Sequence, residues 1–274
     1  MNWMKKHFTT ILLVIIFLAG VGLLLYPTVS DYWNSFHQSK AVVSYIENVT
    51  NIDDKNYEEL WNNAVAYNEE LAENGIKWTM TDEEKEEYDQ YLKIDDTGIM
   101  AYIEIPEIDC SLPIYHGTEE SVLQIAIGHI EGTSLPVGGE STHCVLSGHR
   151  GLPSAKLFTD LDKLVEGDTF IIQTLDATLT YEVDQIRIVE PTDLSDLQIE
   201  EGKDFCKLVT CTPYGINTHR LLVRGHRIAN DEKATEIRVS ADATQVDPIQ
   251  TAPFLAAPML LALLILLFCG SRKR

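Results

Sequence analysis

The chain has 274 residues and a formal net charge of −21, from 42 acidic and 21 basic residues. This length allows one or two domains. The acidic excess argues against nucleic acid and anionic lipid head groups as partners, whereas a basic protein partner or a substrate lysine fits it, as does simple solubility outside the cell. The sequence has no internal repeat and no phosphate-loop motif, and we expect no cofactor.

Both ends of the chain carry an apolar run close to the ~20 residues that a helix needs to cross a bilayer. The first run covers residues 8–26 and follows Lys5 and Lys6, and the second covers residues 252–270 and precedes a basic tail. The positive-inside rule then predicts that both termini are cytoplasmic and that the middle lies outside. A cleaved signal peptide is the alternative for the first run. A cell-wall sorting signal is the alternative for the second, but no Leu-Pro-x-Thr-Gly precedes it.

Helical periodicity marks the region that follows the first apolar run. Four apolar residues recur at spacings of three and four and define one helix face: Leu60, Ala64, Tyr67 and Leu71. We predict helical structure over 31–75, with Asp53 or Asp54 as the N-terminal cap of a helix that ends at Gly75. The charged stretch 81–91 is interpreted as a solvated helix or loop.

The pattern changes to that of β-strands at Ile99. Between residues 101 and 105, apolar and more polar side chains alternate, as in a strand with one buried face. Further strand-like runs are 144–146, 169–173, 178–189, 205–210 and 221–228, and short helical candidates are 119–127 and 154–164. Many short strands separated by turn residues favour a closed barrel or a sandwich over a parallel α/β sheet.

One cysteine lies where a β-branched apolar run breaks into a turn. Cys211 ends the run, Thr-Pro-Tyr-Gly follows at 212–215, and Arg220 opens the next apolar run. Because strands joined by such a turn bring their ends together, we expect the thiol and the guanidinium to lie side by side. This pair suits a nucleophile and an oxyanion stabiliser. Arg224 and Arg227 are competitors, but Arg220 borders the turn.

His149 is the histidine whose position best suits proton transfer beside such a thiol. It lies in Ser-Gly-His-Arg-Gly at 147–151, where a predicted strand breaks into a turn, and side chains at strand ends often point into clefts. A hydrogen-bonded structural histidine is the alternative. His143 lies six residues earlier and shares the face of His149 if the strand is regular. His219 would point to the opposite face of its strand from Arg220.

The histidines and cysteines of the chain could instead bind a metal ion or form a disulfide. The residues that could supply zinc ligands are His143, Cys144, His149, Cys206 and Cys211. Their spacings match no familiar zinc finger, and we expect no metal site. The sequence leaves open a disulfide among Cys110, Cys144 and Cys206, and it places Cys269 at the end of the second apolar run.

At these residues the chain resembles the sortases, the cysteine transpeptidases of Gram-positive bacteria. The family's nucleophile motif is Thr-Leu-x-Thr-Cys, and 207–211 reads Lys-Leu-Val-Thr-Cys, with a lysine in place of the first threonine. The match is closer to the pilin-polymerising class C sortases. The stretches that carry this resemblance are 103–106, 112–118, 132–139, 146–153 and 211–225.

The resemblance implies a mainly β fold, an eight-stranded sortase barrel with short helices, and cysteine transpeptidase activity. By resemblance, Cys211 is the nucleophile, His149 the catalytic histidine and Arg220 the essential arginine, with Thr210 as a substrate-binding or lid residue. The cysteine would cleave the Thr–Gly bond of a Leu-Pro-x-Thr-Gly-like signal on a pilin and form a thioacyl-enzyme. A lysine of the next pilin would then resolve this intermediate into an isopeptide bond.

Class C enzymes often carry a lid with Asp-Pro and an aromatic residue, which enters the active-site groove. This chain has no such tripeptide, and we predict that Trp78, within 75–82, is the plug of the lid. The predicted layout is a cytoplasmic tip with a transmembrane helix at 1–28, a helical region with the lid at 29–97, the catalytic barrel at 98–229, a linker at 230–251, and a second transmembrane helix with a basic cytoplasmic tail at 252–274. This layout describes a multi-pass protein of the cell membrane with an extracellular catalytic domain.

Three other functions stay open at the level of sequence. The closest is a sortase that attaches surface proteins to a peptidoglycan amine, and a more distant one is a membrane-bound cysteine peptidase that uses water as the acceptor. The third is a non-catalytic, pilus-associated surface protein. The joint presence of Cys211, His149 and Arg220 in intact motifs argues against this third function.

Overall fold

The computed structural model describes residues 2–230. The predicted second membrane helix, and the predicted linker from residue 231 onward, lie outside the described residues. The α-helices in the described part are α1 Asn2–Thr50, α2 Asp54–Asn74, α3 Asp82–Tyr88 and α4 Glu120–Leu123. The strands are β1 Ile99–Ile105, β2 Cys110–His116, β3 Ile127–His129, β4 Thr142–Ser147, β5 Thr169–Thr174, β6 Ala177–Val189, β7 Asp204–Thr212 and β8 His219–Ile228.

These eight strands close into a barrel in the order β1-β2-β3-β4-β7-β8-β6-β5. The β2–β3 and β4–β7 pairs are parallel, and all other neighbouring pairs are antiparallel. The mainly β class, the closed barrel and the six predicted strand-like runs are therefore confirmed. Two further strands complete the barrel: β2, in which Pro113 obscures the strand pattern, and β3, which has only three residues.

Of the two short helical candidates, one is confirmed in part and the other was wrong. A helix forms within 119–127, but it is limited to α4, because the chain enters β3 at Ile127. The helix expected over 154–164 is replaced by turns and a short 3-10 segment, Leu161–Lys163. Leu157 has a left-handed backbone in this stretch, with φ of +39°, which a continuous right-handed helix does not allow.

α1 is one continuous helix whose second half packs against β1 and β2. Tyr45 on α1 donates a hydrogen bond from its hydroxyl to the carbonyl of Met100, at 2.9 Å. Its ring meets the ring of Tyr102 edge-on, with the centroids 6.1 Å apart. Both faces of β1 are therefore covered, because the barrel core fills one face and α1 packs on the other, which leaves Tyr102 only 4% exposed.

The predicted helical region consists of the end of α1 and the whole of α2, and the limits predicted for α2 are confirmed. Asp53 caps its start, with Oδ1 accepting from the backbone N–H of Asn56 at 3.0 Å. Gly75 ends it, with φ of +82° and its N–H donating to the carbonyl of Leu71 at 2.7 Å. The predicted apolar face packs on the core, where Ala64 and Leu71 are fully buried.

α3 is a capped helix that is fixed to the barrel. The solvated helix or loop expected over 81–91 is therefore a helix, but one end of it is buried. Thr81 and Glu84 form a reciprocal capping box at its start. At its end Tyr88 is fully buried, and its hydroxyl lies 2.8 Å from Nδ1 of His129 on β3. One aromatic side chain therefore anchors a largely acidic helix.

The parallel pairing of β4 with β7 brings the predicted catalytic residues to one end of the barrel. Ser147 is the register partner of Val209. His149 and Cys211 each follow this pair by two residues, so both leave the barrel at the same edge. β8 returns antiparallel from that edge and carries Arg220 near its start.

Candidate active site

Cys211 and Arg220 are register partners at the open end of the β7–β8 pair, and both are half-buried. Nη1 of Arg220 donates to the carbonyl oxygens of Asn217 and His219, at 3.4 and 3.1 Å. Among the arginines of residues 2–230, it is the one whose guanidinium has no carboxylate within ion-pair distance. Its charge is therefore available to an anion that forms beside Cys211.

The two competing arginines on β8 have other partners. Arg224 forms a bidentate ion pair with Asp184, at 2.9 and 3.0 Å, and a second pair with Glu200 at 3.1 Å. Arg227 donates to the carbonyl oxygens of Thr180 and other residues at the far end of β8 from Cys211. Both side chains therefore bind the barrel wall, which leaves Arg220 as the β8 arginine beside Cys211.

The backbone of the His149 turn is tied directly to the strand that carries the thiol. The N–H of Gly148 donates to the carbonyl of Val209 at 3.1 Å, and the Thr210 hydroxyl donates back to the carbonyl of Gly148 at 2.7 Å. Glycine is required at 148, because a Cβ there would lie 2.5 Å from a side-chain carbon of Ile127. Thr210 is only 2% exposed, so its hydroxyl holds the turn in place, and its predicted contact with substrate or lid stays a prediction.

The imidazole of His149 is half-buried and has a carboxylate beside it. Its Nε2 lies 3.6 Å from Oε2 of Glu120, and the two side chains are 27% and 72% exposed. Glu120 begins α4, which precedes β3 in the chain. No sequence pattern marked Glu120, because only the pairing of β3 with β4 brings it next to His149.

Arg150 is a second guanidinium at the site, and it had no assigned role in the sequence motif. Its side chain is only 9% exposed and forms an ion pair with Asp162. Nη1 also donates to Oγ1 of Thr212, the residue after Cys211, at 3.2 Å. Arg150 therefore links the His149 turn to the end of β7 through Thr212, which lies 62 residues away in sequence. Its other partner, Asp162, lies 12 residues away.

The two other histidines considered for proton transfer lie elsewhere. β4 ends at Ser147, so the prediction that His143 and His149 share a regular strand face was wrong. His143 is 1% exposed near the start of β4, its Nδ1 contacts the carbonyl of Gln198 at 2.7 Å, and burial lowers its pKa to about 4. His219 lies 3.2 Å from a carboxylate oxygen of Glu190.

Trp78 lies in a segment that is docked on the β3–β4 loop. The N–H of Lys77 donates to the carbonyl of Gly132 at 3.1 Å, and a Cβ at 132 would lie 1.9 Å from the carbonyl oxygen of Lys77. This loop enters β4 at Thr142, whereas Cys211 lies at the opposite end of the β4–β7 pair. Trp78 is 38% exposed, and its role as a plug stays a prediction.

The residues named as alternative zinc ligands fall into two places. Cys144 and Cys206 are buried inside the barrel, whereas His149 and Cys211 are half-buried at its end. His143 points instead to the segment that joins β6 to β7. Within residues 2–230, no three of the histidine, cysteine, aspartate and glutamate side chains are arranged to hold a metal ion.

Comparison with known proteins agrees with this geometry. A family model described as the sortase domain matches residues 103–228. The crystal structure of sortase C1 from Streptococcus agalactiae is 57% identical, covers 70% of this chain and all of that one, and superposes with a TM-score of 0.69. The chain belongs to the sortase family.

Two further class C sortases of known structure are similar to this sortase. Sortase C of Streptococcus pneumoniae, described with respect to catalysis and pilin substrate specificity, is 45% identical over 70% of this chain and 97% of that one, with a TM-score of 0.62. Sortase C of Clostridium perfringens, solved with the C-terminal cell wall sorting motif, is 44% identical over 70% of this chain and all of that one, with a TM-score of 0.62. The match to a curated relative with 31% identity spans 62% of that relative's length.

Proposed function

We propose that this sortase polymerises pilins on the outer face of the cell membrane, through a thioacyl-enzyme on Cys211. The observation that carries the proposal is the meeting of a thiol, an unpaired guanidinium and an imidazole at one barrel end, contributed by Cys211, Arg220 and His149. The similarity to three class C sortases supports it, and one of these is described by its pilin substrate specificity.

The proposed first half-reaction is the attack of the Cys211 thiolate on a Leu-Pro-x-Thr-Gly-like sorting signal, while His149 holds the proton. Sγ of Cys211 bonds to the threonine carbonyl carbon, and Arg220 stabilises the oxyanion that forms. His149 then protonates the glycine nitrogen as the carbon–nitrogen bond breaks. The products are a thioester between Cys211 and the threonine, and a free peptide that begins with glycine.

The proposed second half-reaction transfers the acyl group to a lysine of the next pilin. The lysine amine attacks the thioester carbonyl, and His149 accepts the proton that the amine loses. Cys211 leaves as a thiolate, which restores the enzyme, and the new bond is an isopeptide. An amine competes with water here, so hydrolysis is the side reaction.

Charged groups around the nucleophile suit this chemistry. Arg220 lies across from Cys211, and Arg150 is bonded to the next residue, Thr212. The unpaired Arg220 stabilises negative charge on the sulfur and on the oxyanion, whereas Arg150, which is paired with Asp162, holds the end of β7 in place. Glu120 is placed to stabilise the positive charge that His149 carries while it holds the proton.

α1 supplies the proposed anchor, and within the described residues it is the one helix long and apolar enough to cross a membrane. Two of its side chains contact the backbone of 154–156: Asn34 donates to a carbonyl at 2.7 Å, and Asp31 accepts from an amide at 2.6 Å. This segment begins five residues after His149. Because eight helical residues, roughly 12 Å, separate Tyr26 from Asn34, the site is held near the membrane surface, where a substrate anchored by its own apolar helix would present its motif.

The apolar run at 252–270 supplies the second span of the proposed multi-pass layout. Basic residues at both ends of the chain support cytoplasmic termini. Protease treatment of intact cells should therefore remove the barrel and leave both terminal peptides protected. Digestion of the C-terminal tail under the same conditions would limit the anchor to α1.

Pilin polymerisation is tested by mixing the full chain, in detergent, with a pilin that carries a Leu-Pro-x-Thr-Gly-like signal. We expect a ladder of covalent pilin oligomers, and mass spectrometry should find threonine joined to a pilin lysine by an isopeptide bond. The Cys211→Ala variant is the control and should give no ladder. If the cleaved pilin reacts only with a peptidoglycan amine or with water, the sortase assignment stands and polymerisation does not.

A further inference from the structure

Two buried cysteines face each other across the strand pair that carries the catalytic residues. Cys144 on β4 and Cys206 on β7 are register partners. They are 2% and 0% exposed, and both belong to the barrel core. The mechanism uses neither of them, and both are thiols in the structure.

Their position along the strands is the same relative to the site. His149 follows Cys144 by five residues, and Cys211 follows Cys206 by five residues. The two thiols therefore form one register pair in the barrel core, five residues before His149 on the first strand and five residues before Cys211 on the second. A covalent bond between the two thiols would fix the register of the two strands.

The geometry suits a disulfide between these two thiols. Neighbouring strands lie ~4.8 Å apart, within the ~4.4–6.8 Å that separates the Cα atoms of bonded cysteines. Both residues belong to the barrel core, so the two side chains lie on the same face of the strand pair. Cys110 is not a competitor, because it lies at the start of β2, two strands away from β4 in the barrel. Cys211 lies five residues further along β7, roughly 17 Å from Cys206.

We propose that Cys144 and Cys206 form a disulfide that staples β4 to β7 once the domain is outside the cell. The extracellular location rests on the proposed function, and disulfides persist in such oxidising surroundings. Because both sulfur atoms are shielded in the finished barrel, the bond forms before β4 and β7 have packed completely. The same shielding then protects it from reductants.

The oxidant is an external disulfide, either a small molecule or the active-site disulfide of a thiol oxidoreductase. The thiolate of Cys144 attacks one of its sulfur atoms, which forms a mixed disulfide and releases one external thiolate. The thiolate of Cys206 then attacks Sγ of Cys144, which closes the internal bond and releases the second external thiolate. The two protons reach the released thiolates through water, and two electrons pass from the cysteines to the oxidant.

The direct test is a disulfide map of the full chain, expressed with its membrane segments and extracted without reductant. After denaturation and alkylation, we expect one linked peptide pair that contains Cys144 and Cys206, and alkylated thiols at Cys110, Cys211 and Cys269. Alkylation of both Cys144 and Cys206, even after the chain has refolded with glutathione disulfide, would overturn the proposal. This map does not depend on activity, so it separates failure of the staple from failure of the proposed transpeptidase.

A second test asks whether the bond stabilises the barrel. Because a reductant does not reach the bond in the folded barrel, each protein is first unfolded and then refolded either with glutathione disulfide or with a reductant. Thermal unfolding of the two preparations is compared for the parent, the double variant Cys144→Ser/Cys206→Ser, and the control Cys110→Ser. Reduction should lower the Tm of the parent and of the control by roughly 5–15 °C, and should leave the double variant unchanged. An equal response from all three proteins would contradict the staple.

Discussion

The β4–β7 strand pair has one end that serves stability and one that is left open for chemistry. We call 142–144 with 204–206 the upstream end, and 147–149 with 209–211 the downstream end. The upstream end is buried apart from Asp204, whose side chain is partly covered. At the downstream end Ser147, His149 and Cys211 are half-buried, so part of each side chain is open to solvent. The same two strands thus provide a rigid base and a reactive edge.

Two charged side chains show how the ends differ. At the upstream end Asp204 accepts hydrogen bonds from the backbone of Gly139, from Thr142 and from Tyr181, at 3.0, 3.3 and 3.0 Å. Beside the downstream end Arg220 has only carbonyl partners. A charge whose partners are all internal contributes to folding, whereas a charge without a counterion is available to a substrate.

The largest expected effect is that of removing the downstream thiol. Cys211→Ala should abolish cleavage of a Leu-Pro-x-Thr-Gly peptide, because no other described thiol lies at this edge, and it should leave the Tm close to that of the parent. The upstream counterpart Cys206→Ala should lower the Tm, because it creates a cavity in the core, and should leave peptide cleavage close to that of the parent. Peptide cleavage and thermal unfolding, measured on both variants, check the contrast. Residual cleavage by Cys211→Ala would break it.

Replacement of two of the three arginines on β8, one at a time, should show the next largest difference between the ends. Arg220→Met should lower kcat/KM by ~10²–10³, the usual loss when one oxyanion donor is removed, with little change in stability. Arg224→Met should lower the Tm instead, because Asp184 and Glu200 lose their partner. Steady-state kinetics with the sorting peptide decide the point. Equal kinetic losses in the two variants would show that Arg220 has no special role.

The two histidines should differ in the same sense. His149→Gln should lower the rate by ~10²–10⁴, as expected for loss of a general acid and base. His143→Gln should keep the rate of the parent. Initial rates of both variants with one peptide test these statements. A rate that is unchanged in His149→Gln would assign proton transfer to another group.

Stability at acidic pH should depend on the upstream histidine. Burial lowers the pKa of His143 from its ordinary value of 6.5 to about 4 in the folded state. The unfolded chain therefore binds the proton more readily, so stability is full above pH 6.5 and falls as the pH drops towards 4. His143 should account for a loss of about 3 kcal/mol in the free energy of unfolding of the parent. The His143→Gln variant should lack this contribution to the pH dependence. Chemical denaturation at several pH values measures the free energy of unfolding of both proteins. The same dependence on pH in the parent and in His143→Gln would contradict the assignment.

The smallest expected effect concerns Trp78. A plug over the groove would slow the reaction of Cys211 with a thiol reagent, so Trp78→Ala would speed it. Because the backbone at Lys77 is held at the upstream side of the barrel, we expect this increase in labelling rate to be small. An unchanged rate would rule out Trp78 as the plug.

The sequence predicts those features that depend on neighbours along the chain. The breaks at Cys211, Arg220 and His149 are visible because turn residues follow or precede apolar runs. The cap at Asp53 and the end of the helix at Gly75 are visible for the same reason. Each of these signals lies within a few residues of the feature that it predicts.

Features that depend on distant parts of the chain could not be predicted. Tyr102 is buried because α1 covers the outer face of β1, from more than 50 residues away. Glu120 reaches His149, and Arg150 reaches Thr212, only once the barrel has closed. The docking of Lys77 on Gly132 likewise joins two loops that no local pattern connects. These contacts decide how the site is held, although its chemistry could be predicted without them.

The central claim is that Cys211 carries the acyl group, and intact-mass measurement of the full chain tests it most directly. The chain is mixed briefly with a Leu-Pro-x-Thr-Gly-containing peptide and quenched with acid. We predict a mass increase equal to the peptide up to its threonine, mapped to Cys211 and removed by an added amine. Cleavage of the peptide with no adduct on the chain, or an adduct on a different residue, would contradict the account.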